Sequence, residues 1–119
     1  MTDDLVPADG DDAVSDLTMA DLMAEAAVGL TGVVTDASGS VTTWAAGPSV
    51  FATLEDERAE FRLDPQIAAA ALRTPDTSSS ARGSDWIAFA PPVLDDHAVD
   101  RAEAWFLSAH RRAVASLRG

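Results

Sequence analysis

Ser49-Val-Phe-Ala-Thr-Leu54, Glu55-Asp-Glu-Arg58 and Ala59-Glu-Phe-Arg-Leu63-Asp-Pro65 form one run in which two short apolar stretches flank a charged tetrapeptide and end at a helix start. Alternation with period two reads this run as a β-hairpin. Val50, Ala52 and Leu54 fall on one face with Phe51 and Thr53 on the other, and Phe61 and Leu63 alternate with Glu60 and Arg62. Asp64-Pro65 then supplies a capping carboxylate and a proline at the first helical position.

Upstream, Ser40–Ala45 is rich in β-branched residues and contains Trp44, so it reads as a strand closed by Gly47-Pro48. Thr31–Thr35 reads as a short strand or an extended entry, and Asp36-Ala-Ser-Gly39 is turn chemistry. Thr18-Met-Ala-Asp21 has capping-box spacing before Met19, Leu22, Met23 and Ala26, and Gly29 ends that helix. Downstream, the helix opened by Pro65 turns Ile67 and Leu72 toward the sheet and stops at Thr74-Pro75. Residues 76–85 read as a long polar loop and Trp86–Ala90 as a strand. A last helix from about Ala98 to Leu117 carries Ala98, Ala102, Trp105, Phe106, Ala109, Ala113 and Leu117 on one stripe. The expected fold is therefore α+β: an antiparallel sheet of four to five strands with helices packed on one face.

With 119 residues and 47% hydrophobic content the chain supports one domain, assigned to residues 17–119. Residues 1–16 contain six aspartates and no basic residue, the composition of a disordered acidic tail. All 8 basic residues are arginine, against 20 acids and a net charge of −12. Such an excess of short carboxylates is expected of a protein adapted to a saline cytoplasm. No apolar run is long enough to span a membrane, and the acidic start lacks the positive region of a signal peptide, so a cytoplasmic location without membrane partners is expected.

The absence of cysteine excludes thiolate chemistry, and two histidines, His97 and His110, are too few for a histidine-based metal site unless carboxylates supply the rest. Neither a phosphate loop nor a Gly-x-Ser-x-Gly elbow occurs, so no cofactor, metal or catalytic residue is assigned. Asp95-Asp96-His97 reads as capping carboxylates beside an exposed histidine. Between residues 101 and 119 four arginines face one glutamate, which makes this the one basic stretch of an acidic chain. The candidate contact residues are Trp44 and Trp86 on an exposed sheet face, together with Arg73, Arg82, His110 and Arg111. A protein partner or a small anion fits them. Nucleic acid does not fit a chain of this charge.

The order of these signals resembles the MmcQ/YjbR-like family, in an acidic, haloarchaeal-type form. Gly29-Leu-Thr-Gly32 is similar to its "leucine-proline-glycine" segment, Gly47-Pro-Ser-Val-Phe-Ala52 to its hairpin, and Leu63-Asp-Pro-Gln66 to its helix opening. Gly83-Ser-Asp-Trp86-Ile87 resembles its "gly-x-x-trp-val" strand, and Trp105 to Ala113 stands where its closing helix belongs. The resemblance implies a small α+β domain with helices on one sheet face, no established catalytic residue, and a DNA-binding label. Pro48-Ser49 stand where the family often carries a lysine. The competing functions are thus a noncatalytic interaction module, a DNA-binding protein of that type, and an enzyme of unrecognised class.

Overall fold

Each stretch of period-two patterning becomes a strand, and the strands form a single six-stranded antiparallel sheet. The structure, a computed structural model, describes residues 17–118; the expectation for the acidic segment 1–16 lies outside them. Along the chain run α1 (Met19–Val28), β1 (Val33–Ser38), β2 (Val41–Ala46), β3 (Ser49–Glu55), β4 (Arg58–Arg62), α2 (Pro65–Ala71), β5 (Thr77–Ser80), β6 (Gly83–Phe89) and α3 (Asp96–Arg118). In the sheet the strand order is β1-β2-β3-β4-β6-β5.

Three two-residue turns make the β1–β4 meander. Gly39 and Gly47 adopt φ of 62° and 59°, a region that glycine enters without the Cβ clash other residues meet there. Asp56 does the same at φ 57° in the charged turn, consistent with the tolerance of aspartate for that conformation. The strand β1 runs on through Asp36, Ala37 and Ser38, paired with Thr43, Thr42 and Val41, so the turn expected at 36–39 is confined to its last residue. Ladder hydrogen bonds to β2 outweigh the local turn preference of Asp36 and Ser38.

The 76–85 segment is a hairpin arm rather than a loop: β5 pairs antiparallel with β6 and adds the sixth strand. Its Thr-Ser-Ser-Ser sequence is short and polar, as befits an edge strand that discourages further pairing.

The hairpin β3–β4 pairs Leu54 with Ala59 and Ala52 with Phe61. The β2–β3 register shifts between Trp44 and Ala45, leaving Phe51 as the extra residue of a bulge. Phe51 and Ala52 consequently both face the helices with 0% exposure, which corrects the strict alternation expected for this strand. Val50, the next residue out, is 37% exposed on the other face.

All three helices lie on the face that carries Trp44, Phe61, Ile87 and Phe89, and they join one core with them. The helix α1 is closed by a capping box, with Asp21 N–H donating to Thr18 Oγ1 at 3.1 Å and Thr18 N–H to Asp21 Oδ2 at 3.4 Å. Asp64 caps α2 through Gln66 N–H at 3.0 Å. That helix is rotated from expectation: Ala68 and Ala71 are buried, while Ile67 and Leu72 are each 41% exposed. Small alanines let the helix backbone approach the sheet closely, and larger side chains fit only outward. Asp95 opens α3 by accepting Ala98 N–H at 2.9 Å. Ala98, Ala102, Trp105, Phe106, Ala109 and Ala113 are buried as the stripe required, but Leu117 is 49% exposed beside Gly47.

Candidate functional site

The six candidate contact residues separate into two groups on opposite sides of the molecule and two isolated positions. Trp44 lies in the core at 2% exposure, edge-on to Phe106 at 5.7 Å between ring centroids. Trp86 points to the opposite sheet face and is itself only 9% exposed beneath Arg82, so the two tryptophans neither share a face nor stand exposed as expected. Arg73 stands exposed beyond the end of α2.

Arg82 and Trp86 meet on the uncovered face. The Arg82 guanidinium sits 5.5 Å from the Trp86 ring and donates from Nε to Glu60 Oε1 at 2.7 Å. Glu60 also accepts from Ser80 Oγ at 2.7 Å and from Thr53 Oγ1 at 3.1 Å, with Arg58 at 3.7 Å. Burial pushes the Glu60 carboxyl up, but the hydrogen bonds from Ser80, Arg82 and Thr53 outweigh it and hold the group below the usual glutamate range. A carboxylate so saturated with donors is a poor base. It organises the sheet surface instead.

His110 and Arg111 meet on α3. One turn beyond Phe106, His110 packs edge-on against Phe51 at 5.5 Å, and its buried Nε2 has no hydrogen-bond partner among the described residues. With Leu30, Leu107, Arg111, Val114 and Ala115 it lines a groove of about 360 Å³. Arg111 also walls a second groove of about 310 Å³, formed with Asp64, Ile67, Ser108, Arg112 and Ala115. The exposed ridge of α3 is thus an arginine between two apolar-floored depressions. From Ala104 to Leu117 no acidic residue occurs.

Beside this ridge, Asp85 accepts from Arg62 Nε at 3.1 Å and from Arg112 Nη1 at 3.0 Å. Burial raises the Asp85 carboxyl, and these two guanidiniums more than reverse it, so the group lies below the usual aspartate range. A cleft of about 70 Å³ opens between Arg62 and Arg112, but Asp85 already supplies the negative charge that a small anion would bring. Among the described residues no three His, Asp or Glu side chains cluster as metal ligands, and no helix is long and apolar enough to cross a membrane.

Glu60 and Asp85 were not evident as centres of hydrogen bonding. The pairing of Thr53 with Glu60 follows from their equal distance from the 55–58 turn, and that signal was legible in the hairpin. Ser80 and Arg82 reach Glu60 only because β5 and β6 form a hairpin whose first arm has no apolar alternation to reveal it. No family model, no curated protein and no solved structure matches the chain.

Proposed function

We propose that this chain is a noncatalytic interaction module of the MmcQ/YjbR-like type, working in a salt-adapted cytoplasm, and that it receives a protein partner on the C-terminal half of α3. One observation carries the reading: on a molecule of net charge −12, the Leu107–Val114 ridge presents Arg111 between two apolar-floored grooves, with no acid from Ala104 to Leu117 and Asp64, the cap of α2, at the wall of one groove. An acidic segment with interspersed leucine or valine is the complementary partner, its carboxylates meeting Arg111 and its apolar side chains filling the grooves. Asp85 held between Arg62 and Arg112 and the saturated Glu60 leave no convergent acid–base set among the described residues, which favours binding over catalysis.

DNA binding of the family's labelled kind requires several phosphate contacts from basic side chains. Here Arg62 and Arg112 are engaged by Asp85 and Arg82 by Glu60. Fluorescence anisotropy with a labelled peptide alternating Asp or Glu with Leu and Val, and in parallel with duplex DNA, tests the choice. The peptide binds and Arg111→Glu or Val114→Asp abolishes the signal, while duplex DNA stays weaker than about micromolar, the range of nonspecific contacts. Sequence-dependent nanomolar DNA binding replaces this reading with the DNA-binding one, and binding of neither probe removes the α3 surface as the working site.

A further inference from the structure

The helices leave one side of the sheet uncovered among the described residues, and the strand registers set its side chains in rows. One row crosses all six strands as Asp36, Thr43, Thr53, Glu60, Ala88 and Ser78. Its middle is already filled by the chain's own side chains: Thr53 is 2% and Ala88 1% exposed, and Glu60 is tied down by three donors. A second row begins with Val34, Ala45 and Val50, and Trp86 stands toward the far end of the same level.

Charge on this face is both low and divided. Asp36, Glu55 and Glu60 oppose Arg58 and Arg82, a balance of −1 on a chain of −12. Asp36 and Glu55, the latter accepting from Ser40 Oγ at 3.3 Å, lie on β1 and β3, whereas the arginines lie on β4 and the β5–β6 turn. Glu60, the acid on the arginine side, is already paired with Arg82 at 2.7 Å.

We infer that two copies of this chain associate face to face through the uncovered side of the sheet, about a two-fold axis running along the strands. That operator lays the β1–β3 half of one copy on the β4–β6 half of the other. Glu55 then faces the partner's Arg58, which stands 3.7 Å from its own Glu60, and the small Ala45 lies over the partner's Trp86, itself 9% exposed, so the same surface complements itself as an isologous contact requires. Sheets packed face to face stand about 10 Å apart, and short threonine, alanine and serine side chains let two copies approach at least that closely. Six strands spaced about 4.8 Å apart and about 17 Å long give a face of roughly 500 Å². Two such faces bury about 1,000 Å², at the lower bound for a specific interface, so the dimer is concentration-dependent. Two bodies of −12 also repel each other, so association strengthens as salt screens them.

Sedimentation over a range of protein concentration in about 1 M salt, where the Debye length is about 3 Å, reads the equilibrium directly. A dimer is expected that Ala45→Arg and Thr43→Glu convert to monomer, with Val114→Asp on α3 leaving it intact. The chain has no cysteine, which allows a second measurement that does not depend on those variants folding. An equimolar mixture of Asp36→Cys and Ser78→Cys copies, treated with a short bismaleimide, is expected to yield crosslinked heterodimer in several-fold excess over either homodimer. A monomer at every concentration, or a dimer that crosslinks as homodimers and survives Ala45→Arg, overturns the inference. Neither outcome touches the α3 surface, so the two proposals fail separately.

Discussion

Replacing Phe106 by alanine removes the side chain that ties α3 to the sheet. Phe106 has 0% exposure and meets two rings edge-on, Phe51 at 5.3 Å and Trp44 at 5.7 Å. Truncation of a buried phenylalanine costs about 3–5 kcal/mol through lost transfer energy and the cavity left behind. The lost edge-to-face pairs, about 0.5–1.5 kcal/mol each, place this site toward the upper end. The cavity cannot collapse easily, because Phe51 is fixed by the bulge and Trp44 by the β2–β3 ladder. For a domain of this size each 1 kcal/mol lowers the melting temperature by about 4 °C or more, so Phe106→Ala should melt at least about 15 °C lower. Leu107, the next residue, lines the Leu30 groove and is half-buried. Leu107→Ala should cost about 1 kcal/mol, roughly half the burial energy of a leucine. Thermal melts of the two variants by circular dichroism, in one buffer at one salt, measure the difference. Equal losses would refute the orientation of α3 and with it the position of Arg111 between its grooves.

Glu60 provides a pH prediction. Its folded carboxyl titrates below its unfolded value of about 4.3, so the stability it confers is present above that value and is lost as pH falls through the lower folded one. Melting temperature should therefore fall more gently in acid for Glu60→Gln than for the parent; parallel curves would show that the Ser80–Arg82–Thr53 network does not stabilise the charged form. The net charge provides a salt prediction: raising salt from about 0.01 M to about 1 M shortens the Debye length from about 30 Å to about 3 Å. Melting temperature should rise markedly across that range and rise less after deletion of residues 1–16, which carry six of the 20 acids; a full-length chain indifferent to salt would contradict adaptation to a saline solvent.

Local signals located the elements wherever chemistry and tertiary demand coincided. Thr18, Asp64 and Asp95 each announced a helix start and each accepts the expected backbone N–H. The Phe61 and Leu63 alternation and the Phe106 stripe survived for the same reason: one face buried, one face wet. Failure came where a neighbour decided. Phe51 turns inward through a bulge that depends on β2, information absent from the 49–54 stretch itself. Ile67 lost its place to Ala68 because closeness of approach, which hydrophobicity does not encode, fixed the rotation of α2. The strand β5 is held by its pairing with β6, since three serines offer no apolar face to read. Of the candidate residues, the place of His110 at the border of the α3 stripe was legible from the helix period. The opposite facing of Trp44 and Trp86 was not, because they lie on strands whose relative register no short stretch records.

The closing position of α3 has a consequence for how the chain comes into being. Polypeptides emerge from the ribosome N-terminus first, so β2, β3 and β4 are exposed to the cell before α3, the long helix packed on them, exists. Phe51, Phe61 and Phe89 wait on Trp105 and Phe106, which follow the last strand by 16 and 17 residues. During that interval the sheet has an uncovered aromatic surface on one side and a bare β1 edge, the features through which nascent chains aggregate. Self-repulsion among the carboxylates already synthesised then keeps neighbouring nascent chains apart, which gives the acidity of this sequence a role that begins before folding is complete.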